Sequence, residues 1–294
     1  MKMDSLIKKY KNSLSRLLFI AALLQPASIV MAQESVSRHD LLVAIESFLT
    51  HMSSERPEWV NLSPDANIRE NAVAIDLADS KWKDVSNIVS KQTFADSSTG
   101  QVLARTGVEL YSGKIAYVSS RLKLIGDQIT EVEISFDDSN GVVAVNILRL
   151  DPVLTTIVPP EFRSSREELE RIGRSYFATL SDHRPIEDDF DDVRCNRFHS
   201  GNQITNNPDD AVEGAGSRTC ISSLQGPWGP AVEHRFPIIE PERGTVVGIT
   251  LLHFPNNRQM YVSEVFKVLD GKIMLIDNLP IMLTDTETLG FPYE

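Results

Sequence analysis

The sequence predicts an α+β protein of two tandem units, each a curved antiparallel sheet covered by helices. Three patterns carry this, and each occurs twice. Apolar residues recur at helical spacing near Arg38 to Met52 and again from Ser165 to Leu180. A strand end, a charged turn closing on glycine and a new strand run from Phe94 to Val102 and from Phe236 to Val246. Gly126-Asp127 and Asp270-Gly271 each join two alternating apolar runs, a strong hairpin signal.

The first helix carries Leu41, Ile45, Phe48, Leu49 and Met52 on one face, and the second Leu169, Ile172, Tyr176, Phe177 and Leu180. Leu41 aligns with Leu169, Phe48 with Tyr176, Leu49 with Phe177 and Met52 with Leu180. Further on, Asn67 to Ile75 aligns with Asn196 to Ile204, and both stretches read as short hairpins. Ala116 to Phe136 then answers to Tyr261 to Leu279, with the second copy longer by an insertion between Asn207 and Trp228. A repeated pattern of this kind defines architecture even where single elements are ambiguous. The expected division is a signal peptide at 1–32, a first unit at 33–150, a linker at 151–164 containing Pro152, Pro159 and Pro160, and a second unit at 165–294.

The signal peptide is read from Lys2, Lys8, Lys9, Lys11 and Arg16 ahead of an apolar run from Leu17 to Ala32, broken by Gln25 and Pro26. That run falls short of the roughly eighteen apolar residues a membrane-spanning helix needs, so no stable membrane insertion is expected after cleavage. The rival reading is an uncleaved anchor. Periplasmic or secreted localisation follows. The 294-residue chain has 29 Lys and Arg against 41 Asp and Glu, a net charge of −12. Cleavage would remove five cations and only Asp4, leaving the remainder more acidic still. Such a surface repels phosphate backbones, which argues against nucleic acid as a partner. With 41% hydrophobic residues the chain can build a core without metals. Cys195 and Cys220 are the only cysteines, and export favours a disulfide between them; two free thiols are the alternative.

On these residues the chain resembles the nuclear-transport-factor-2-like, or SnoaL-like, cone fold. Cys195 to Asn207 and Arg235-Phe236-Pro237-Ile238-Ile239 to Gly244 resemble, more narrowly, a family of secreted two-part proteins of unknown function found in fungi and bacteria. The resemblance implies two cone-shaped units, each enclosing a pocket with apolar walls and a few inward polar groups. It also implies a hairpin reading Glu-Asn-Gly: the first copy keeps Glu70-Asn71, whereas the second has His199-Ser200-Gly201. The wider fold hosts isomerases, cyclases, dehydratases and binding modules, and fold alone does not choose among them.

Candidate chemistry concentrates in the second unit. Asp277, aligned with Glu133 and flanked by Leu275, Ile276 and Leu279, suits a carboxylate whose pKa is raised by desolvation toward that of a working base. Recurrence in both copies suits an outward-facing solubility position equally well. His199, beside the turn Ser200-Gly201-Asn202, could act as a general base near neutral pH or stand solvated. His253, between Leu252 and Phe254, is a pocket base or a satisfied core histidine. Arg235 could hold an anion, or pair with one of the many carboxylates. Tyr176, Trp228 and Asn206 are candidate ligand contacts. Alternation along Cys195 to His199 separates Arg197 from Phe198, with the Phe198 side expected to face the core.

Glu187-Asp188-Asp189-Phe190-Asp191-Asp192 lacks the glycine and spacing of a calcium loop and reads as a solvated acidic stretch. No metal is expected, and no cofactor. The chain has no Gly-x-Ser-x-Gly elbow, His-Glu-x-x-His or Gly-x-Gly-x-x-Gly turn, which argues against serine-hydrolase, zincin and nucleotide-dependent chemistry. The leading expectation is a cofactor-free acid–base isomerase or lyase acting on a small, partly apolar compound. The alternative is a non-catalytic module that binds a ligand or a protein.

Overall fold

Two serines open the two long helices. Ser37 Oγ accepts from the backbone N–H of Asp40 at 3.1 Å, and Ser165 Oγ from that of Glu168 at 3.2 Å. Each cap satisfies an otherwise orphan donor, and each acid faces the positive end of the helix dipole. The helices are α1 (Arg38–Ser53) and α2 (Arg166–Asp182). The structure is a computed structural model, and it describes residues 36–139, 150–182, 189–191, 193–207, 218–224, 229–255, 257–283 and 288–292. The proposed signal peptide and most of the insertion lie outside the described residues, as do Trp228, Glu187, Asp188 and Asp192.

The strands of the first half are β1 (Leu62–Glu70), β2 (Val73–Ala74), β3 (Val85–Asp96), β4 (Gln101–Leu110), β5 (Ile115–Ile125) and β6 (Gln128–Asp137). Those of the second are β7 (Asn196–His199), β8 (Asn202–Gln203), β9 (Ala231–Glu240), β10 (Thr245–His253), β11 (Gln259–Leu269) and β12 (Lys272–Met282). They form two six-stranded sheets with one topology, β2-β1-β6-β5-β4-β3 and β8-β7-β12-β11-β10-β9. Both sheets are mixed, which corrects the antiparallel expectation: β1 runs parallel to β6, and β7 to β12. In each half a four-strand meander returns its last strand to the edge where the leading hairpin lies, in the direction that hairpin already has. Each sheet carries one long helix, so the halves are rich in sheet and only partly covered by helix.

The two halves agree in register as well as in order. Arg69 pairs with Ala74 and Glu70 with Val73; Phe198 pairs with Gln203 and His199 with Asn202, as the hairpin alignment requires. Thr130 and Met274 are the unpaired residues of bulges at corresponding points of β6 and β12, where each strand bends. Gly100 and Gly244 close the two charged turns at φ +66° and +57°. A Cβ on either would meet a carbonyl, Leu124 O at 2.8 Å or Val268 O at 2.1 Å, so only glycine lets the turn close on the neighbouring strand.

Leu41, Ile45, Phe48, Val118 and Leu122 belong to the core under α1, and Ile172, Phe177, Val262, Phe266 and Ile276 to the core under α2. Burying each such side chain is worth about 1.5–3 kcal/mol. The faces away from the helices bury a third cluster, which includes Phe94 and Leu103 of the first sheet and Val247, Ile249, Val265 and Leu275 of the second. Residues from Glu34 onward form one compact unit. Both faces of each sheet are therefore covered, and the inner face is a seam to which both halves contribute. Cys195 and Cys220 are joined, tying α3 (Cys220–Ser223), at the end of the insertion, to the start of β7.

Candidate active site at the seam

Alternation along β12 decides where Asp277 goes. Ile276 packs under α2, so Asp277, with Leu275 and Leu279, faces the seam. This corrects the expectation that it lines a hollow within the second unit. Its partners come from the other half. The Tyr117 hydroxyl of β5 donates to Asp277 Oδ2 at 2.6 Å, and Arg105 Nε of β4 lies 3.3 Å from the same oxygen. Arg105 Nη2 also donates to the Ser263 carbonyl at 2.6 Å. All three side chains are buried. Burial pushes the Asp277 carboxyl up, opposed by Arg105 and the Tyr117 hydrogen bond, and burial also drives Tyr117 well above the phenol range.

Beside this cluster a cavity of about 290 Å³ opens, lined by Tyr117, Asp277, Gln92, Asp151, Phe198 and Gln203 among others. Its walls come from both sheets and from the stretch that follows the first. Three ionisable groups, Tyr117, Asp151 and Asp277, share this space with the apolar Leu154, Phe198 and Leu275.

A second cluster occupies the corresponding place on the other side of the seam. Glu133 of β6 pairs with Arg235 of β9, and Arg121 Nε donates to it at 2.6 Å. Burial pushes Glu133 up, but Arg235 and Arg121 more than offset this and hold it below the usual carboxylate range. Tyr261, which aligns with Tyr117, stands beside Glu133, and burial together with that charge raises its pKa. Arg235 is therefore the carboxylate-paired arginine weighed from sequence, not an anion holder in the cavity with Asp277.

The remaining expected site residues are dispersed. His199 is half-buried on the β7–β8 hairpin, and burial, reinforced by Arg197, lowers its pKa to about 4, too low for a base working near neutral pH. His253 ends β10 with its Nε2 3.1 Å from Gln259 Nε2. Neither histidine lines the cavity, nor does Arg235. Asn206 Nδ2 donates to the Cys195 carbonyl at 2.8 Å, a contact that holds its loop. Tyr176 points into the core under α2, where its hydroxyl donates to Glu264 Oε1 at 2.7 Å. Among the described residues no three His, Cys, Asp or Glu side chains gather as a metal site would need.

Sequence reasoning missed Glu264 and misplaced Arg197. Arg197 lies beside Ile276 on the α2 side, 3.6 Å from Glu264, while Phe198 takes the seam side. Burial raises the Glu264 pKa to about 7 despite Arg197 and Tyr176. The corresponding places in the first half hold Phe48, Ile68 and Ser120, so this polar trio is peculiar to the second. The signal was present: Glu264 alternates in phase with Val262 and Phe266, and a charge in phase with a core stripe has to be buried. Arg105 and Tyr117 were missed because they lie in the half to which no chemistry had been ascribed.

Residues 162–279 match the family model of a domain of unknown function, DUF8021. No curated protein matches the chain. Solved structures similar to parts of it include an NTF2-like protein of unknown function from Cytophaga hutchinsonii ATCC 33406 (16% identity, covering 35% of this chain and 91% of that one, TM-score 0.27). Another is an NTF-2 like protein of unknown function from Burkholderia xenovorans LB400 (11% identity, 37% and 91%, TM-score 0.28). A third is a de novo designed protein with a curved β-sheet (18% identity, 39% and 99%, TM-score 0.31). At these scores the likenesses carry no functional weight. The segment matching the domain model spans α2 to most of β12 and so contains Asp277, Arg235 and Glu264, but neither Tyr117 nor Arg105.

Proposed function

We propose that the seam cavity binds a small, partly apolar organic molecule and that Asp277 and Tyr117 act on it as an acid–base pair, in an isomerase or lyase reaction. The observation that carries this reading is the 2.6 Å hydrogen bond between two buried titratable groups at the wall of a cavity of about 290 Å³. That volume is at the small end for ligand pockets, which suits a compact substrate. A carbonyl oxygen entering beside Tyr117 would take over its hydroxyl hydrogen bond. Asp277, relieved of that donor, would become the stronger base and accept a proton from the carbon next to the carbonyl. Arg105 would keep the carboxylate oriented throughout. No group outside the chain is required for such a proton transfer.

A second reading, a non-catalytic binding module, draws on the fact that Asp277 is already paired with both Tyr117 and Arg105. The Cys195–Cys220 bond supports an oxidising compartment, and no described helix is long and apolar enough to cross a membrane. Export by the N-terminal signal is part of the same proposal.

The test is native mass spectrometry of the purified protein after incubation with a metabolite extract, followed by turnover assays on whatever binds. Asp277→Asn should keep binding and lose turnover by at least a hundredfold, and Tyr117→Phe should lose both in part. Binding without turnover in the wild type would favour the module. An unaltered ligand profile in both variants would remove the site from the seam.

A further inference from the structure

The second cluster, Glu133, Tyr261 and Arg235, stands where the first cluster and its cavity would be if the two halves were exchanged. Tyr261 aligns with Tyr117, Glu133 with Asp277, Arg69 with Phe198 and Ala72 with Gly201. Arg235 also takes the register place of Gln92, since Arg235 faces Ile249 as Gln92 faces Arg105. This second place is filled by the chain itself. Residues 288–292 follow the second sheet, and Leu289 and Phe291 are buried there. The Phe291 ring centre lies 4.7 Å from the Arg121 guanidinium carbon and 5.0 Å from that of Arg235. Asn67 Nδ2 donates to the Gly290 carbonyl at 2.7 Å, and the Leu289 N–H donates to Glu233 Oε2 at 2.8 Å.

We infer that residues 289–291 occupy a second ligand site in cis, and that this site, when vacated, takes a small aromatic carboxylate. The ring position is set by the two guanidinium groups, which favour an aromatic face by cation–π attraction. The carboxylate preference comes from donors the segment leaves unused. Arg69 Nε and Arg235 Nε are buried without a hydrogen-bond partner among the described residues, and the Arg235 side chain is only 7% exposed. Buried donors left without a partner are costly, and an anion seated beside the ring would satisfy them. Among the described residues the hydrogen bonds from Asn67 and to Glu233 hold the segment, beside the burial of Leu289 and Phe291. Gly290 sits at φ +69°, and a Cβ there would lie 2.0 Å from the Arg69 guanidinium carbon, so alanine at 290 both strains the backbone and crowds Arg69, which favours release of the segment.

The experiment compares the wild-type chain with its Gly290→Ala variant, using calorimetric titration with 3-phenylpropionate and hydrogen exchange of residues 289–291. The variant should show faster exchange in that segment and one more binding site per chain than the wild type. Adding Arg69→Gln should weaken the gained site at least tenfold. A synthetic acetyl-Leu-Gly-Phe-amide peptide should compete for it. The gained site is counted as the difference between variant and wild type, so binding in the first cavity, present in both, cancels. If Gly290→Ala leaves the segment protected, Phe291→Ala is measured in the same way. Release of the segment with no gained site, continued protection with no gained site in both variants, or unfolding of both would overturn the inference.

Discussion

Glu133 and Asp277 occupy corresponding positions in the two sheets, and each is paired with an arginine from the opposite half: Glu133 with Arg235, Asp277 with Arg105. The two carboxylates thus obey a twofold relation, although the arginines that reach them come from non-corresponding strands, β4 and β9. Tyr117 and Tyr261, at matching places on β5 and β11, extend it. This accounts for the recurrence of a carboxylate in both copies, which from sequence had suggested either a catalytic base or an outward solubility position. Both carboxylates instead face inward, across the seam.

Removing one partner of a buried pair strands the other. Arg105→Met should destabilise the protein by about 3–5 kcal/mol in urea unfolding, because Asp277, almost wholly buried, loses its cation. Asp277→Leu in the same chain should recover most of that loss. A double variant no more stable than Arg105→Met would show that the charge pair is not what the seam depends on.

Glu264 makes stability depend on pH. Its pKa rises from an ordinary 4.5 to about 7 on folding, through burial that Arg197, Tyr176 and Arg105 only partly counter. The native state therefore holds a proton the unfolded chain gives up, and the stability it supplies is complete below pH 4.5 and lost as pH rises to about 7. Glu264→Gln should flatten that part of the curve, by at most about 3 kcal/mol. An unchanged slope between the two pH values would place the carboxyl in contact with water.

His199 acts in the opposite sense. Its pKa falls from 6.5 to about 4 on folding, so its contribution is present above pH 6.5 and lost as pH falls toward 4. His199→Asn should leave the protein relatively more stable at pH 4.5 than at pH 7, compared with the wild type. Thermal melts at the two pH values read this directly.

Cys195 and Cys220 are separated by 25 residues, and closing a loop of that size stabilises by about 3 kcal/mol on the chain-entropy account. Replacing both with serine should lower stability by about that amount. It should also loosen Arg197, whose Nη1 donates to the Ser223 carbonyl of the tethered α3 at 3.0 Å. Faster backbone exchange at 220–224 would report that loosening.

Much of this architecture was legible from the chain alone. The two helix faces, the Asp-Gly hairpin and the alignment of Asn67 to Ile75 with Asn196 to Ile204 all recur in the structure, the last with the register it required. What alternation could not supply was which face of a strand met which neighbour. A period of two divides Arg197 from Phe198 without saying that both faces are covered, one by α2 and one by the other sheet. For the same reason the sequence left Asp277 between a desolvated base and an outward-facing position, and gave no hint of its surroundings. Its partners Tyr117 and Arg105 lie in the other repeat, beyond the reach of any local pattern.

The crossed arginine–carboxylate pairs bear on how such a chain could have arisen. The second half holds one member of each crossing, Arg235 and Asp277, and Asp277 corresponds to the very residue Arg235 binds. Two separate polypeptides of that half, related by an axis through the seam, could thus satisfy each other with no first half present. A fused gene would then be free to let its two ends diverge, one end of the seam keeping an open chamber and the other closing over it.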